Sequence, residues 1–149
     1  MTTNSVTLHR VLKATPEKVY RAFSDANAYT FWLPPYGFLG VVHYLNFRVG
    51  GTYKMSFINF TTGKGHSFGG TYLELKTNEF IKHSDKFDDP NLPGEMTVSI
   101  WLKEVICGTE IKIVQEGIPS VIPTEMCYLG WQESLEKLMK LVEPQIPDA

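Results

Sequence analysis

The apolar positions change period along the chain, and the change lays out an order of elements. Val6, Leu8, Val11 and Leu12 mark a strand over residues 5–14, whose alternation slips at Val11–Leu12 as a bend or bulge would make it do. Thr15-Pro16-Glu17-Lys18 then reads as a helix start. Thr15 can cap, and Pro16 suits the first helical position, where a missing N–H costs nothing. Val19, Tyr20 and Phe23 give this short helix one apolar side. Ser24 or Asp25 can cap a second helix through Tyr29–Trp32, which Pro34-Pro35 ends.

From Val41 the period becomes two. Strands are predicted over Val41–Val49, Thr52–Phe60, Ser67–Lys76 and Glu79–Phe87, along the run Met96, Val98, Ile100 and Leu102, and over Thr109–Gln115. Gly50-Gly51, residues 61–65, Thr77-Asn78, residues 88–94 and Cys107-Gly108 punctuate them. Sequential strands joined by short turns imply an antiparallel meander rather than βαβ units. Tyr53, Met55, Phe57 and Asn59 share one face of their strand, and Ile81, His83, Asp85 and Phe87 share one face of theirs. Helical spacing then returns. Over Ile122–Val142, residues Cys127, Trp131, Ser134/Leu135, Leu138 and Leu141/Val142 recur every three or four positions, an apolar stripe of about five turns. Pro123 suits its first position, Pro144 and Pro147 stop it, and Glu133/Lys137 and Glu136/Lys140 have the i,i+4 spacing of pairs on a wet face.

The order predicts an α+β fold of helix-grip type, with 1–149 as a single domain. A curved antiparallel sheet of about six to seven strands wraps the long C-terminal helix, and two short helices follow the first strand. Sheet and helix meet closely at one end, while the short helices hold them apart at the other. A cavity between them follows naturally.

Composition narrows the functions. The 149 residues are 43% hydrophobic and 20% charged, which suits a soluble globular domain. A net charge of −2 gives no electrostatic case for nucleic acid or an anionic membrane. No apolar run reaches membrane-spanning length, and MTTNSVTLHR lacks the hydrophobic segment of a signal peptide. Cys107 and Cys127 form no CxxC motif, so a cytoplasmic protein with reduced thiols is expected. Nine Phe, seven Tyr and three Trp are the compositional oddity, and they fit either a core or the wall of a ligand pocket.

Several stretches together resemble a known family. They are Thr15-Pro16-Glu17-Lys18-Val19-Tyr20-Arg21-Ala22-Phe23, Phe31-Trp32-Leu33-Pro34-Pro35, Arg48-Val49-Gly50-Gly51-Thr52-Tyr53, Gly70-Thr71-Tyr72-Leu73-Glu74-Leu75 and Gly130-Trp131-Gln132-Glu133-Ser134-Leu135-Glu136-Lys137-Leu138. Their order resembles the START-like SRPBCC superfamily, in its branch homologous to activators of the heat-shock-protein-90 ATPase, over almost the whole chain. Asn46 departs from the pattern, standing where an acid is expected in a DxRxGG-like turn, which removes an ion pair with Arg48. The resemblance implies a deep, mostly apolar cavity and functions ranging over ligand carriers, aromatase/cyclases and co-chaperone domains. It brings no shared catalytic triad or metal site, and fold alone does not choose among those functions.

The residues themselves offer little catalytic chemistry. His9, His43, His66 and His83 are scattered without HxxxH or HExxH spacing, so neither a metal nor another cofactor is expected. Gly-Gly-Thr-Tyr occurs at 50–53 and again at 69–72, but neither copy leads into a helix, so hairpin and bulge use is expected rather than phosphate binding. Ser120 and Ser134 lack a nucleophile-elbow context. Cys127 reads as a buried structural thiol. His83 and Asp85 are polar groups inside an apolar cavity if their face is concave, and solvated ones if it is convex, and Glu116 is a weaker candidate. Gly130 inside a helix suggests close approach by another element or a ligand.

The expectation is a binder of a small apolar or aromatic molecule, with no catalytic residues assigned. Its candidate ligand contacts are Trp32, Met55, Phe57, Tyr72, His83, Asp85, Phe87, Met96, Met126 and Trp131. The alternatives are a cyclase/dehydratase-like enzyme moving protons with His83, Asp85 or Glu116, and a co-chaperone-like module. The last follows from the branch name alone, with no docking patch identified. A homodimer is compatible with the sequence.

Overall fold

The structure, a computed structural model, describes residues 4–148. Among them the chain forms seven strands and three helices. The order is β1 (Asn4–Leu12), α1 (Pro16–Ser24), α2 (Ala26–Trp32), β2 (Phe38–Leu45), β3 (Thr52–Asn59), β4 (Gly65–Lys76), β5 (Phe80–Phe87), β6 (Met96–Val105), β7 (Gly108–Ile118) and α3 (Thr124–Val142).

Local chemistry explains the first boundaries. The Lys18 amide donates to Thr15 Oγ1 at 3.3 Å, with Pro16 opening α1 behind that cap. Asp25 serves two helices. Its own N–H donates to Arg21 O and closes α1, while its Oδ1 accepts from the amides of Asn27 (2.9 Å) and Ala28 (3.2 Å) and opens α2.

The strands form one antiparallel sheet in the order β1-β7-β6-β5-β4-β3-β2. It is a curved meander in which the first strand returns to pair with the last. β1 alternates without the expected slip: Leu12 is inward and Val11 outward, and the register irregularity lies instead between Asn4 and Val6. β2 begins and ends earlier than its apolar run suggests, because residues 46–51 are spent on a tight loop. There the Arg48 amide donates to Asn46 O (2.9 Å) and the Gly51 amide to Arg48 O (2.8 Å). Asn46 Oδ1 accepts from Arg48 Nε at 3.2 Å, so a neutral amide takes the guanidinium contact expected of an acid.

The two Gly-Gly-Thr-Tyr strings pair with each other. Thr52 lies opposite Thr71 and Tyr53 opposite Gly70, and the Gly50 N–H and Gly51 O bond the backbone of Tyr72. A side chain at Gly70 would fall 1.9 Å from Ser84 O, so glycine is what lets β5 come this close behind Tyr53.

α3 lies across the concave face, packed on β1, α1 and α2. Pro123 is its N-cap, with ψ of 133°, rather than its first helical residue, and Thr124 opens the helix. Ser134, Leu135, Leu138 and Val142 are buried, whereas Leu141 is on the outer side. Glu133, Glu136 and Lys137 tie α3 to the α2–β2 loop instead of pairing along the helix. Glu133 Oε1 accepts from the Tyr36 amide, Glu136 from the Tyr36 hydroxyl, and Lys137 Nζ donates to Pro34 O at 3.0 Å. At the far end Glu143 accepts from the Lys13 amide and Pro144 O from Lys18 Nζ. That end of the helix is clamped.

Leu138 is fully buried in this clamped half. Leu138→Ala is expected to lower the unfolding free energy by about 2–5 kcal/mol in denaturant titrations. A loss below about 0.5 kcal/mol, the usual size for a surface site, would place this face of α3 outside the core.

Candidate functional site

Beyond the clamped half, α3 and the sheet separate around a partly open cavity of about 160 Å³. Cys127, Gly130, Trp131 and Ser134 form its roof at i, i+3, i+4 and i+7 spacing. Tyr29 and Leu33 come in from α2 and the turn after it. Tyr53 and Phe57 enter from β3, His66 and Phe68 from β4, His83, Asp85 and Phe87 from β5, Val98 from β6 and Gln115 from β7. Rings dominate the walls. Phe57 and Phe68 meet edge to face at 4.8 Å, and Tyr53 meets His83 edge to face at 5.2 Å. His66 stands exposed at the rim, 5.9 Å from Phe57.

Gly130 gives the roof its hollow. A side chain carbon there would meet nothing within 4 Å. No element presses on this glycine, contrary to the expectation of a close backbone approach. The space in front of it, in the middle of the roof stripe, is the cavity itself.

The polar groups are mostly engaged. Trp131 Nε1–H donates to Gln115 Oε1 at 2.8 Å. An indole nitrogen only donates, so this bond orients the amide and turns Gln115 Nε2 to Met96 Sδ at 3.3 Å. Ser134 Oγ–H donates to Leu33 O and lies 3.0 Å from Gly130 O. His83 Nδ1 is 2.9 Å from Ser84 O, and a carbonyl only accepts, so Nδ1 carries the proton and Nε2 is an acceptor. The Tyr53 hydroxyl reaches the same carbonyl at 3.3 Å.

Asp85 differs. The residue keeps some exposure, yet its Oδ1 is buried and has no hydrogen-bond partner among the described residues. Burial pushes its carboxyl up to about 7, against the pull of the Tyr53 hydroxyl and the Lys86 amide. Burial also pushes His83 down to about 4, against its bond to Ser84. Desolvation holds Tyr29, Tyr53 and Tyr72 above the usual phenol range and raises the Cys127 thiol, so none of these ionises readily.

The structure gathers part of the expected set. Phe57, His83, Asp85, Phe87 and Trp131 line the cavity. Met55, Tyr72 and Met96 are buried in the packed core outside it, although Met55 sits between two lining residues on the same strand face. Trp32 is core as well: its Nε1–H donates to Ala22 O and its ring packs on Phe23 at 4.9 Å. Met126 is 63% exposed, because it lies one helical step off the Cys127–Ser134 stripe. Glu116 is exposed at the far end of β7. Tyr29, Tyr53 and Gln115 complete the cavity. Tyr53 was visible on the right strand face, but nothing in the sequence singled out Tyr29 or Gln115. Among the described residues, no three His, Cys, Asp or Glu side chains gather as metal ligands, and no helix is long and apolar enough to cross a membrane.

Asp85 and His83 link folding to pH with opposite signs. At about 7 folded against an ordinary 3.8, Asp85 makes the folded state bind more protons, so its contribution falls as pH rises from about 4 to about 7. At about 4 folded against 6.5, His83 makes the folded state bind fewer, so its contribution is lost as pH falls through about 6.5 to 4. The two oppose in the native chain. Urea midpoints at pH 4.5, 5.5 and 6.5 are expected to rise with pH in Asp85→Asn and to fall with pH in His83→Gln. Slopes of the same sign in both variants would refute the opposition.

The family model described as Activator of Hsp90 ATPase homolog 1-like protein matches residues 13–143. A crystal structure of a Chromobacterium violaceum protein is similar at 55% identity and a TM-score of 0.94, over 95% of this chain and 99% of that one. A Rhodobacter sphaeroides protein is 19% identical with a TM-score of 0.82, over 92% and 90%. An AHSA1-like protein from Aeromonas hydrophila is 15% identical with a TM-score of 0.74, also over 92% and 90%. The last two are likenesses of fold alone. No curated protein matches the chain.

Proposed function

The chain belongs to the family of proteins like activator of Hsp90 ATPase homolog 1, and from that premise we propose that it binds one small, largely apolar molecule beneath α3. The observation that carries this reading is the hollow at Gly130, opposite a wall of Phe57, Phe68 and Phe87. A cavity of about 150 Å³ lined by apolar side chains accepts a single benzene ring. At about 160 Å³, this one has room for a ligand of that size. Burying such a molecule among rings releases its hydration water, and the fixed Trp131–Gln115 pair means the wall need not reorganise to receive it. Two free thiols, Cys107 on the surface and Cys127 beside the cavity, support a reducing compartment such as the cytoplasm.

A second reading has one observation in its favour. A carboxyl near neutrality in an apolar cavity is also what a proton-moving enzyme uses. Binding is preferred because burial pushes His83, the neighbouring group, down to about 4, so it is a poor proton carrier near neutrality and Asp85 lacks a matched acid–base partner.

Gly130 separates a ligand cavity from a packing defect. Toluene, followed by the Trp131 indole N–H resonance, is expected to bind the native chain at one site. Gly130→Ala should stabilise the fold by about 0.5–1 kcal/mol, the usual gain for replacing a helix-interior glycine. Gly130→Leu should remain folded and weaken toluene binding by at least about tenfold. A folded Gly130→Leu that binds toluene like the native chain would remove the cavity reading.

A further inference from the structure

Resting on that reading, we infer that the ligand is a neutral hydrogen-bond donor of the phenol or aromatic-alcohol class, whose hydroxyl donates to Asp85 Oδ1. The inference comes from what the cavity leaves unsatisfied. A buried oxygen without a partner is costly, and the other polar side chains on the β3, β7 and α3 walls are already engaged, while the Tyr29 hydroxyl of α2 and the His66 ring at the rim make no side-chain hydrogen bond among the described residues. Once the carboxyl is ionised, the two positions left on β5 are acceptors: Asp85 Oδ1 and, by its tautomer, His83 Nε2. They are two apart on one strand face, roughly 7 Å along the strand. A cavity with unfilled acceptors selects a molecule that brings donors.

Charge narrows the class further. The titratable side chains that share the cavity with Asp85 are Tyr29 from α2, Tyr53 from β3, His66 from β4, Cys127 from α3 and His83 on its own strand, with Tyr72 of β4 in the core outside it. The tyrosines and His83 are neutral between about pH 5.5 and 8.5, and burial raises the Cys127 thiol. Burial lowers the His66 imidazole at the rim below its ordinary 6.5, which leaves it mostly neutral at pH 7 and above. Among the described residues, no lysine or arginine lines the cavity. An anionic ligand would meet the carboxylate without a cation to offset it. An ammonium ligand would lose its hydration to walls made mostly of rings. A hydroxyl on an aromatic ring meets neither cost, and its ring suits Phe57, Phe68 and Trp131.

A bond of this kind also has a pH signature. A donor binds the ionised carboxylate better than the protonated one, so its affinity should rise as the Asp85 carboxyl loses its proton near pH 7. An acceptor-only ligand should show the reverse.

Three probes of similar size test this: phenol, toluene and benzaldehyde, each titrated at pH 5.5, 7 and 8.5 against the native chain and Asp85→Leu. Phenol stays mostly neutral throughout this range. In the native chain at pH 8.5, phenol is expected to bind about 10- to 100-fold tighter than toluene, and the preference should shrink toward pH 5.5. In Asp85→Leu the preference should vanish while toluene still binds. Toluene binding as tightly as phenol, or benzaldehyde preferred and gaining toward acid, would overturn the inference and leave the cavity reading intact. Failure of all three probes would overturn both. Should Asp85→Leu not fold, the native pH series decides by itself.

Discussion

The structure depends on one helix that is gripped over half its length. From Ser134 to Val142 the inner face of α3 is buried, and Glu133, Lys137 and Glu143 tie it to the loop after α2 and to the turn between β1 and α1. From Cys127 to Trp131 the same face looks into a void. One stripe of helical period three to four therefore does two jobs. Protein interiors are close-packed, and a partly open hollow survives only where rigid elements prevent collapse. Here the clamp on the C-terminal half holds the N-terminal half away from β4 and β5, and Tyr29 and Leu33 fill the gap on the α2 side.

The polar floor follows a different logic. His83 is tolerable in an apolar setting because its donor nitrogen bonds a backbone carbonyl and burial keeps the ring neutral. Asp85 has no such arrangement at Oδ1, and a shift from 3.8 to about 7 corresponds to a penalty on the order of 4 kcal/mol on the charged form. A shift that large is a sizeable share of the stability of a domain this size. The position is held by strand pairing, since Asp85 lies opposite Met96 in the last pair of the β5–β6 ladder.

The fold was legible because it is written in periods. Thr15-Pro16, Asp25, the alternation from β3 to β7 and the stripe of α3 all state local geometry that the backbone then adopts. The ends of β2 were less legible, since Leu45 to Val49 alternates like a strand but is drawn into a loop whose bonds Asn46 and Arg48 supply. The site was legible only in part. Period two places Tyr53, Met55 and Phe57 on one face, but whether each meets a void or a neighbour depends on what packs over it from elsewhere in the chain. So Met55 proved to be core, while Tyr29 and Gln115 reached the cavity from elements whose local patterns say nothing of it. The same limit applies to Trp32, whose fate was set by the carbonyl of Ala22.

Two local rules are broken in this chain, and both breaks face the same space. A glycine interrupts α3 where alanine or almost any other residue would make a better helix, and an aspartate occupies a face of β5 where an apolar residue would pack without cost. The two lie on different elements, far apart in sequence, and neither compensates the other. Gly130 has no crowding neighbour to explain it, and Asp85 Oδ1 has no partner. What they share is the cavity: one leaves room in its roof, the other leaves an acceptor on its wall. Departures from local consistency that converge in space mark a functional site more surely than either does alone. A molecule filling the first and satisfying the second would account for both.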